Sequence, residues 1–312
     1  MKRIFFTENG IVKQLETPQS GVWIALTNPM EDEMADISKD FNVDIDALKA
    51  ALDAEERSRI ELEDNYTMIL VNIPTIVKSD KEQWYDTIPL AVIMLKDIII
   101  TVCLEDTPIL DAFMKGRVKD FHTHMKTRFV LQILYRNAIL FLQYLRIIDK
   151  KSEQVENKLH GSTRNRELIE LLKLEKSMVY FTTALRSNEV VLEKLLKSES
   201  IKKYPEDTDL LEDVIVENKQ AIEMANIYSG ILSGTMDAFA SVISNNLNIV
   251  MKFLTVVTLF ISIPTMIFSA YGMNVNGASM PFAGNPYGFI YIISFSVVIS
   301  IIAFILIRRK IM

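Results

Sequence analysis

Residues 253–307 contain no Asp, Glu, Lys, Arg or His, and this run of 55 residues restricts the possible folds more than any other feature. The basic residues 308–310 follow it directly. Two apolar stretches lie inside the run, at residues 253–271 and 287–307. Each is about as long as a helix that crosses the roughly 30 Å hydrocarbon core of a bilayer. A buried hairpin in a soluble protein is the alternative, but a neutral run that ends in basic residues favours two membrane spans.

The basic residues that flank the spans indicate their orientation. Lys252 precedes the first span and residues 308–310 follow the second, whereas the connecting residues contain no Lys or Arg. Because cytoplasmic loops are enriched in basic residues, we expect both termini in the cytoplasm and residues 272–286 as an extracellular loop. The N-terminal stretch MKRIFFTENG has no apolar run of signal-peptide length. The predicted location is therefore the cell membrane, which the chain crosses twice.

The part of the chain before the spans is acidic. Residues 1–252 contain 31 basic and 40 acidic residues, so their net charge is −9. A surface of this kind disfavours nucleic acid and anionic lipid as partners. Cys103 is the single cysteine, which excludes an intrachain disulfide. It lies in the apolar stretch DIIITVCLED, which indicates a buried and unreactive thiol.

The first 125 residues predict an α+β cytoplasmic domain. Strand-like stretches alternate with short helical ones, and one strand hairpin turns near residues 96–97. Asn28 followed by Pro29 is typical of a helix start, with Asn28 as the N-cap. Glu31, Asp32 and Glu33 would then complement the helix dipole.

Long helices follow this domain. Residues 126–205 have helical periodicity with one break at HGSTRN, which predicts an antiparallel helical hairpin. Residues 206–271 predict one stalk helix that continues into the first membrane span, since a proline occurs only at position 264. The second span is predicted at residues 287–308, and a basic cytoplasmic tail at residues 309–312.

The Ser and Thr residues of the first span repeat at intervals of 3, 4, 3 and 4 residues. We call this set the hydroxyl stripe; it consists of Thr255, Thr258, Ser262, Thr265 and Ser269. The same register continues back to Met251 and Asn248 and forward to Gly272. Such a stripe can mediate tight packing between helices, or several copies of the chain can surround an axis and present it to water. Two spans cannot enclose a pore alone, so the second interpretation requires a cyclic homo-oligomer.

The stretch YGMN at residues 271–274, followed by a short loop, a last span and a basic tail, resembles the CorA family of divalent-cation transporters. The resemblance covers the whole chain and implies a homopentameric funnel in a lipid bilayer, whose first span lines the pore. It implies a selectivity ring of Gly272, Met273 and Asn274. It implies the following pore-lining residues: Asn248, Met251, Thr255, Thr258, Ser262, Thr265 and Ser269. Ions would move down the membrane potential without ATP. No catalytic pattern is visible in the sequence, so we expect no enzyme activity and no cofactor.

A neutral selectivity ring suits Mg²⁺, which keeps several of its waters when it binds. Amide and carbonyl oxygens can hydrogen-bond the hydrated ion without holding it. The family's loop often continues with Met-Pro-Glu-Leu, and here Met280 and Pro281 match while Phe282 and Ala283 replace the last two residues. We therefore expect weaker electrostatic attraction of cations outside the membrane. Zinc or cobalt/nickel transport is the first alternative, and a membrane-anchored scaffold without transport is a more distant one.

The resemblance also implies a regulatory site for intracellular Mg²⁺ between neighbouring subunits. Asp213 matches the stalk residue of that site by its distance of 35 residues from Asn248, and Glu212, Asp209 and Asp237 are further candidates. Mg²⁺ would thus be both substrate and regulatory ligand. The alternative is that these acids form a solvated face of the stalk. His122 and His124 have no other histidine nearby, which favours a surface turn over a metal site.

Overall fold

The computed structural model describes residues 1–79, 82–161, 165–198, 204–276, 280–282 and 284–311. The chain divides into two compact units, Met1–Met236 and Asp237–Met312, and each is described by itself. Ala283, residues 162–164 of the HGSTRN break and residue 312 lie outside the described residues.

The first unit contains a seven-stranded mixed sheet with the order β2-β1-β3-β7-β6-β5-β4. Its strands are β1 (Lys2–Glu8), β2 (Ile11–Leu15), β3 (Trp23–Thr27), β4 (Arg59–Leu62), β5 (Tyr66–Ser79), β6 (Glu82–Leu95) and β7 (Ile99–Cys103). All neighbouring strands are antiparallel except β3 and β7, which are parallel. Every residue of β3 and β7 is buried, as expected for central strands covered on both faces. The predicted hairpin near residues 96–97 is confirmed as the turn between β6 and β7.

Three helices are short: α1 (Glu31–Phe41), α2 (Ile45–Ala50) and α3 (Pro108–Met114). Helices α1 and α2 cover one face of the sheet, and α3 lies with the long helices on the other. The side chains of Met34, Ile37 and Leu48 from α1 and α2 pack with Ile24 and Leu26 of β3 in one core. On the opposite face, Trp23 packs against aromatic rings at centroid distances of 5.0–6.4 Å, namely Phe5, Phe113, Phe121 and Phe129. The mixed α/β soluble domain expected from the sequence is therefore present.

The start of α1 differs from the sequence prediction. Met30, not Asn28, is the N-cap, and Asn28 has a positive φ of 43°. The Oε2 atom of Glu33 accepts hydrogen bonds from the backbone N–H of Met30 (3.0 Å) and from the amino terminus (2.9 Å). The hydrogen bond from the amino terminus lowers the pKa of the Glu33 carboxyl. The acidic first turn is confirmed, but the chain uses Asn28 to leave β3 in a left-handed conformation that Asn tolerates.

Helices α4 (Lys126–Gly161) and α5 (Asn165–Leu196) pack against the sheet and against each other. The rings of Phe141 and Phe181 join them at 5.1 Å, and Tyr85 of β6 packs against Tyr144 and Phe181. These contacts attach the helical pair to the β5–β6 hairpin.

Asparagine side chains on α4 and α5 complete the hydrogen bonds of a strand edge. The ladder between β4 and β5 ends at the pair of Arg59 with Leu70, so Asn72 lies beyond it. The Oδ1 atom of Asn188 accepts from the Asn72 N–H (2.9 Å), and its Nδ2 atom donates to the Asn72 carbonyl (2.8 Å). Asn137 donates to the same carbonyl at 2.9 Å. Since unpaired buried backbone groups are costly, these side chains replace the missing strand.

Helix α6 runs from Pro205 to Tyr271, a length of 67 residues. Proline is favoured at the first position of a helix because its missing N–H would have no partner there. Within the first unit, the buried residues of α6 recur every three or four positions; they include Leu211, Val214, Asn218, Ala221 and Ala225. The Asn218 side chain donates to the Leu185 carbonyl of α5 at 3.1 Å.

The second unit consists of the last part of α6, a loop and helix α7 (Gly288–Ile311). Both helices contain windows long and apolar enough to cross a membrane. The rings of Phe260 and Phe304 meet edge-on at 6.4 Å. Helix α7 continues through the basic residues, so residues 309–311 are helical.

Candidate functional site

The hydroxyl stripe lies on an exposed face of α6. All five of its residues are exposed in the single chain. Four hydroxyls donate to the carbonyl four residues earlier, at 2.7–2.8 Å; the donors are Thr255, Thr258, Ser262 and Thr265. A hydroxyl that donates its proton in this way still has oxygen lone pairs that can accept hydrogen bonds. The stripe therefore offers a row of acceptors on a helix that has no charged residue in this segment.

The opposite face of α6 packs against α7. Val256, Ile263 and Ile267 are half-buried, and Phe260 contacts Phe304. Counted at about 3.6 residues per turn, this row lies about half a turn from the hydroxyl stripe. The stripe is therefore not the packing contact between the two apolar helices of one chain. It remains available to other copies of the chain or to water.

Two serines of α7 form the small-residue part of this packing, which the sequence patterns did not reveal. Ser296 and Ser300 are 0% and 2% exposed, and the Ser300 hydroxyl donates to the Ser296 carbonyl at 2.8 Å. Small residues allow two apolar helices to approach closely. In the sequence, their spacing of four residues could have indicated that both serines lie on one face of the helix.

The predicted selectivity residues follow the end of α6. The helix ends at Tyr271, and the Gly272 N–H still donates to the carbonyls of Phe268 (3.0 Å) and Ser269 (3.1 Å). Neither Gly272 nor Asn274 has a positive φ. The helix therefore ends at the last residue of the predicted stretch 206–271, and the chain leaves it without a left-handed residue. Met273 and Asn274 are exposed, so the Asn274 amide is accessible.

The loop after Asn274 is held by contacts that sequence reasoning did not assign. The Tyr271 hydroxyl donates to the Pro281 carbonyl at 2.9 Å. Phe282 has a positive φ of 61°, and its ring lies 5.7 Å from that of Tyr291. A Cβ atom on Gly288 would lie 2.2 Å from the Phe282 carbonyl oxygen, so this position accepts only glycine. Phe282 is thus an apolar structural residue of the loop.

The four predicted regulatory acids are exposed on α6; they are Asp209, Glu212, Asp213 and Asp237. Among the described residues, no group of three or more His, Cys, Asp or Glu side chains is arranged to hold a metal ion. A single chain therefore does not bring these acids together. Counted along α6, Asp209, Asp213 and Asp237 fall on the three-and-four register of the hydroxyl stripe, and Glu212 does not.

Two further sequence candidates lie in the first unit, the histidine pair and Cys103. The rings of His122 and His124 lie 5.4 Å apart and belong to no metal-binding group among the described residues. Cys103 is fully buried, and its burial raises the pKa of the thiol to about 11. The expected burial of the thiol is confirmed.

Comparison with known proteins identifies the family. A model described as CorA-like Mg²⁺ transporter protein matches residues 18–309. The chain is 27% identical over 298 residues to the cobalt/magnesium transport protein CorA of Methanocaldococcus jannaschii, covering 93% of this chain and 90% of that one. It is 25% identical over 333 residues to the magnesium transport protein CorA of Campylobacter jejuni, covering 97% of each.

A solved structure has the same fold. The complete structure of the CorA magnesium transporter from Methanocaldococcus jannaschii aligns with a TM-score of 0.82 at 23% identity, covering 99% of this chain and 98% of that chain. The resemblance inferred from YGMN is confirmed, as are the mixed α/β domain, the long helices and the two C-terminal apolar helices. This chain belongs to the family of CorA-like Mg²⁺ transporter proteins.

Proposed function

We propose that this chain transports Mg²⁺ across the cell membrane as a channel-like homopentamer whose pore is lined by the hydroxyl stripe. The observation that carries the proposal is the position of the stripe, which is exposed on the face of α6 opposite the face packed on α7. The stripe leads to Gly272, Met273 and Asn274, the residues that match the family's selectivity ring. The relatives' names include magnesium and cobalt, so cobalt is the first competing ion.

The stripe suits the passage of a hydrated cation. Each of four hydroxyls donates its proton to a backbone carbonyl of α6, so in the proposed oligomer its oxygen would be free to accept a hydrogen bond from the ion's water molecules. Mg²⁺ loses its waters reluctantly, and a neutral wall allows the hydrated ion to leave as readily as it enters. The inner positions Asn248 and Met251 continue the same register.

Asn274 would supply an amide oxygen from each subunit at the outer end of the pore. Its exposed side chain follows α6 without a charged residue anywhere in the adjoining loop. A carboxylate ring would bind the ion more tightly and slow its exit. We infer that the membrane potential drives transport, that both termini are cytoplasmic, and that the protein is not an enzyme.

Exposed apolar residues on α6 support self-association. Val216, Ile227 and Ile231 are 63%, 58% and 51% exposed, although they lie in the part of α6 before the uncharged run. Burial of these side chains against other copies of the chain would add favourable apolar contact to the proposed oligomer. Val216 and Ile227 share the register of the hydroxyl stripe, so the proposed central axis would bury both. The number of five copies rests on the family resemblance.

The regulatory proposal uses the same register. Asp209, Asp213 and Asp237 would approach their symmetry mates or neighbouring domains in the oligomer, where bound Mg²⁺ would offset their mutual repulsion. Loss of that Mg²⁺ would allow the subunits to separate and the pore to open. Glu212 lies off the register, and we assign it a lesser role.

Flux into liposomes tests the proposal. Purified protein is reconstituted in vesicles that contain a Mg²⁺-sensitive dye, and a negative internal potential is applied. We expect wild-type influx, and a loss of at least tenfold in Asn274→Ala. The matched control is Asn246→Ala, which removes the same amide from an exposed α6 position outside the register.

Each other outcome has a defined meaning. Influx of zinc alone would support the zinc alternative. The degree to which Co²⁺ or Ni²⁺ inhibits Mg²⁺ influx would give the order of preference among these ions. Absence of flux for every ion would support the scaffold alternative. A monomer in detergent, measured by light scattering, would contradict the pore because two spans cannot enclose one.

A further inference from the structure

A cavity of about 570 Å³ lies in the first unit, apart from the proposed pore. Its volume is within the range of about 300–1,000 Å³ that is typical of small-molecule sites. The wall is formed by the start of α3, the connection between α3 and α4, one face of α4 and Leu210 near the start of α6. Its polar lining residues are Lys119, Asp120, Arg128, Gln132, Tyr135, Arg136 and Gln143.

The charge of this cavity is opposite to that of its surroundings. Lys119, Arg128 and Arg136 oppose the single acid Asp120 in the lining, whereas residues 1–252 have a net charge of −9. Within the part of the chain that the structure describes, none of these three cations forms an ion pair with a carboxylate at 4.0 Å or less. A concave cationic site inside an acidic domain attracts anions.

Two buried polar atoms on this face of α4 have no hydrogen-bond partner among the residues that the structure describes. They are Nε of Arg128, a donor, and Oε1 of Gln132, an acceptor. The Gln132 Nε2 atom donates to the Lys119 carbonyl at 3.2 Å, which orients the side chain. Buried polar groups are nearly always paired. A ligand that satisfies both atoms must carry an anionic acceptor and, about one helical turn away, a hydrogen-bond donor.

Arg136 adds a second guanidinium on the same face. Positions 128, 132 and 136 are four residues apart, so the two arginines are about 12 Å apart along the helix axis at 1.5 Å per residue. The Arg136 guanidinium lies 5.5 Å from the centre of the Phe113 ring, which holds it in place. Burial lowers the pKa of Arg136, because it disfavours the charged guanidinium. A bound anion would stabilise that charge.

The rest of the lining is apolar. It consists of Pro108, Ile109, Val118, Ile139, Leu140 and Leu210, together with the ring of Tyr135. Such a wall suits a flat organic group rather than a bare ion. Arg128 also lies close enough to Asp207 to favour its charged form, so the cavity adjoins the first turn of α6.

We propose that this cavity binds a phosphate monoester with a heteroaromatic group, of the size of a nucleoside monophosphate. The phosphate accepts from Arg128, whose guanidinium matches its bidentate geometry, while Arg136 attracts the anion electrostatically from two turns farther along α4. A hydroxyl or amino group of the ligand donates to Gln132 Oε1, and the ring lies on the apolar wall. The bound molecule then contacts Leu210, close to the start of the helix that carries the hydroxyl stripe.

Calorimetric titration of the full-length protein in detergent with AMP tests this assignment, with adenosine and inorganic phosphate as comparison ligands. We expect AMP to bind at least tenfold more tightly than either of them. Arg136→Gln should weaken AMP binding at least tenfold, and Arg136→Lys should weaken it less because the charge remains. Arg146→Gln is the matched control, since Arg146 is an exposed residue of the same helix outside the cavity, and it should change the affinity less than twofold.

The unliganded melting temperature of each variant shows whether it is folded. If Arg136→Gln fails to fold, Gln132→Leu takes its place, because it removes the acceptor but no charge, and the same loss of affinity is expected. Absence of AMP binding to the wild type would overturn the proposal, as would equal binding of inorganic phosphate or equal weakening by Arg146→Gln. The titration measures no ion flux, so its failure leaves the proposed transport function unaffected.

Discussion

Replacing Asn188 by alanine tests how the helical layer is attached to the sheet. The side chain is 3% exposed and makes three hydrogen bonds: it accepts from the Ser58 hydroxyl (2.8 Å) and the Asn72 N–H (2.9 Å), and donates to the Asn72 carbonyl. In Asn188→Ala, both the Asn72 N–H and the Ser58 hydroxyl lose the oxygen atom that accepts their hydrogen bonds. Each unsatisfied group costs about 1–3 kcal/mol. With two such groups, we expect Asn188→Ala to lower the free energy of unfolding by about 4 kcal/mol.

Asn137→Ala is the graded comparison. Asn137 donates to the same Asn72 carbonyl, but that carbonyl would keep its hydrogen bond from Asn188. We therefore expect a loss of only about 1 kcal/mol, the typical net value of one hydrogen bond. For a unit of this size, 1 kcal/mol lowers the melting temperature by about 2–4 °C. The two variants should then differ by about 6–12 °C.

Tryptophan fluorescence during heating measures this difference in the full-length protein. Both tryptophans, Trp23 and Trp84, lie in the unit Met1–Met236, so the signal reports on that unit alone. Arg186→Ala at an exposed position of α5 serves as the control and should shift the transition by less than about 2 °C. Equal shifts for Asn188→Ala and Asn137→Ala would refute the conclusion that the Asn72 N–H depends on Asn188.

Two further predictions concern ionisable groups of the first unit. Because Cys103 is fully buried and its pKa is raised to about 11, a maleimide reagent at about pH 7.5 should label it only after denaturation, as read by mass spectrometry; rapid labelling of the native protein would contradict its burial. Burial raises the pKa of the Asp207 carboxyl above its ordinary value of 3.8, so its contribution to stability is complete below that pH and is lost as the pH rises through the folded pKa. Asp207→Asn should therefore raise the melting temperature at pH 7 but not at pH 3.5, whereas the exposed Asp36→Asn should show no such difference.

The membrane segments could be predicted from the sequence because the constraints on them are local. A bilayer sets the length and polarity of a spanning helix, so the uncharged run of residues 253–307 was sufficient to predict two membrane spans. The hydroxyl stripe is local in the same sense, since one helix places residues three and four apart on one face. The burial of Cys103 also followed from its immediate neighbours, and is confirmed.

The helix start at Met30 shows where local patterns fail. Asn28 and Pro29 have the composition of a helix start, yet the first turn is organised by Glu33 and the amino terminus, which is 32 residues away in sequence. The parallel pair of β3 and β7 likewise joins segments separated by α1, α2 and three strands. Such contacts depend on which distant segments meet, and no short window of sequence contains that information.

The sequence by itself therefore determined that two apolar spans end the chain, that the first carries polar hydroxyls in one register, and that an acidic mixed domain precedes them. Only the tertiary structure decided that the stripe faces away from α7, that Asn137 and Asn188 complete a strand edge, and that arginines of α4 meet apolar residues of α3 and α6 in one cavity. The physical reason is that a bilayer and a helix constrain residues that are close together in the sequence. Burial and hydrogen-bond partners depend instead on packing between residues that are far apart in the sequence.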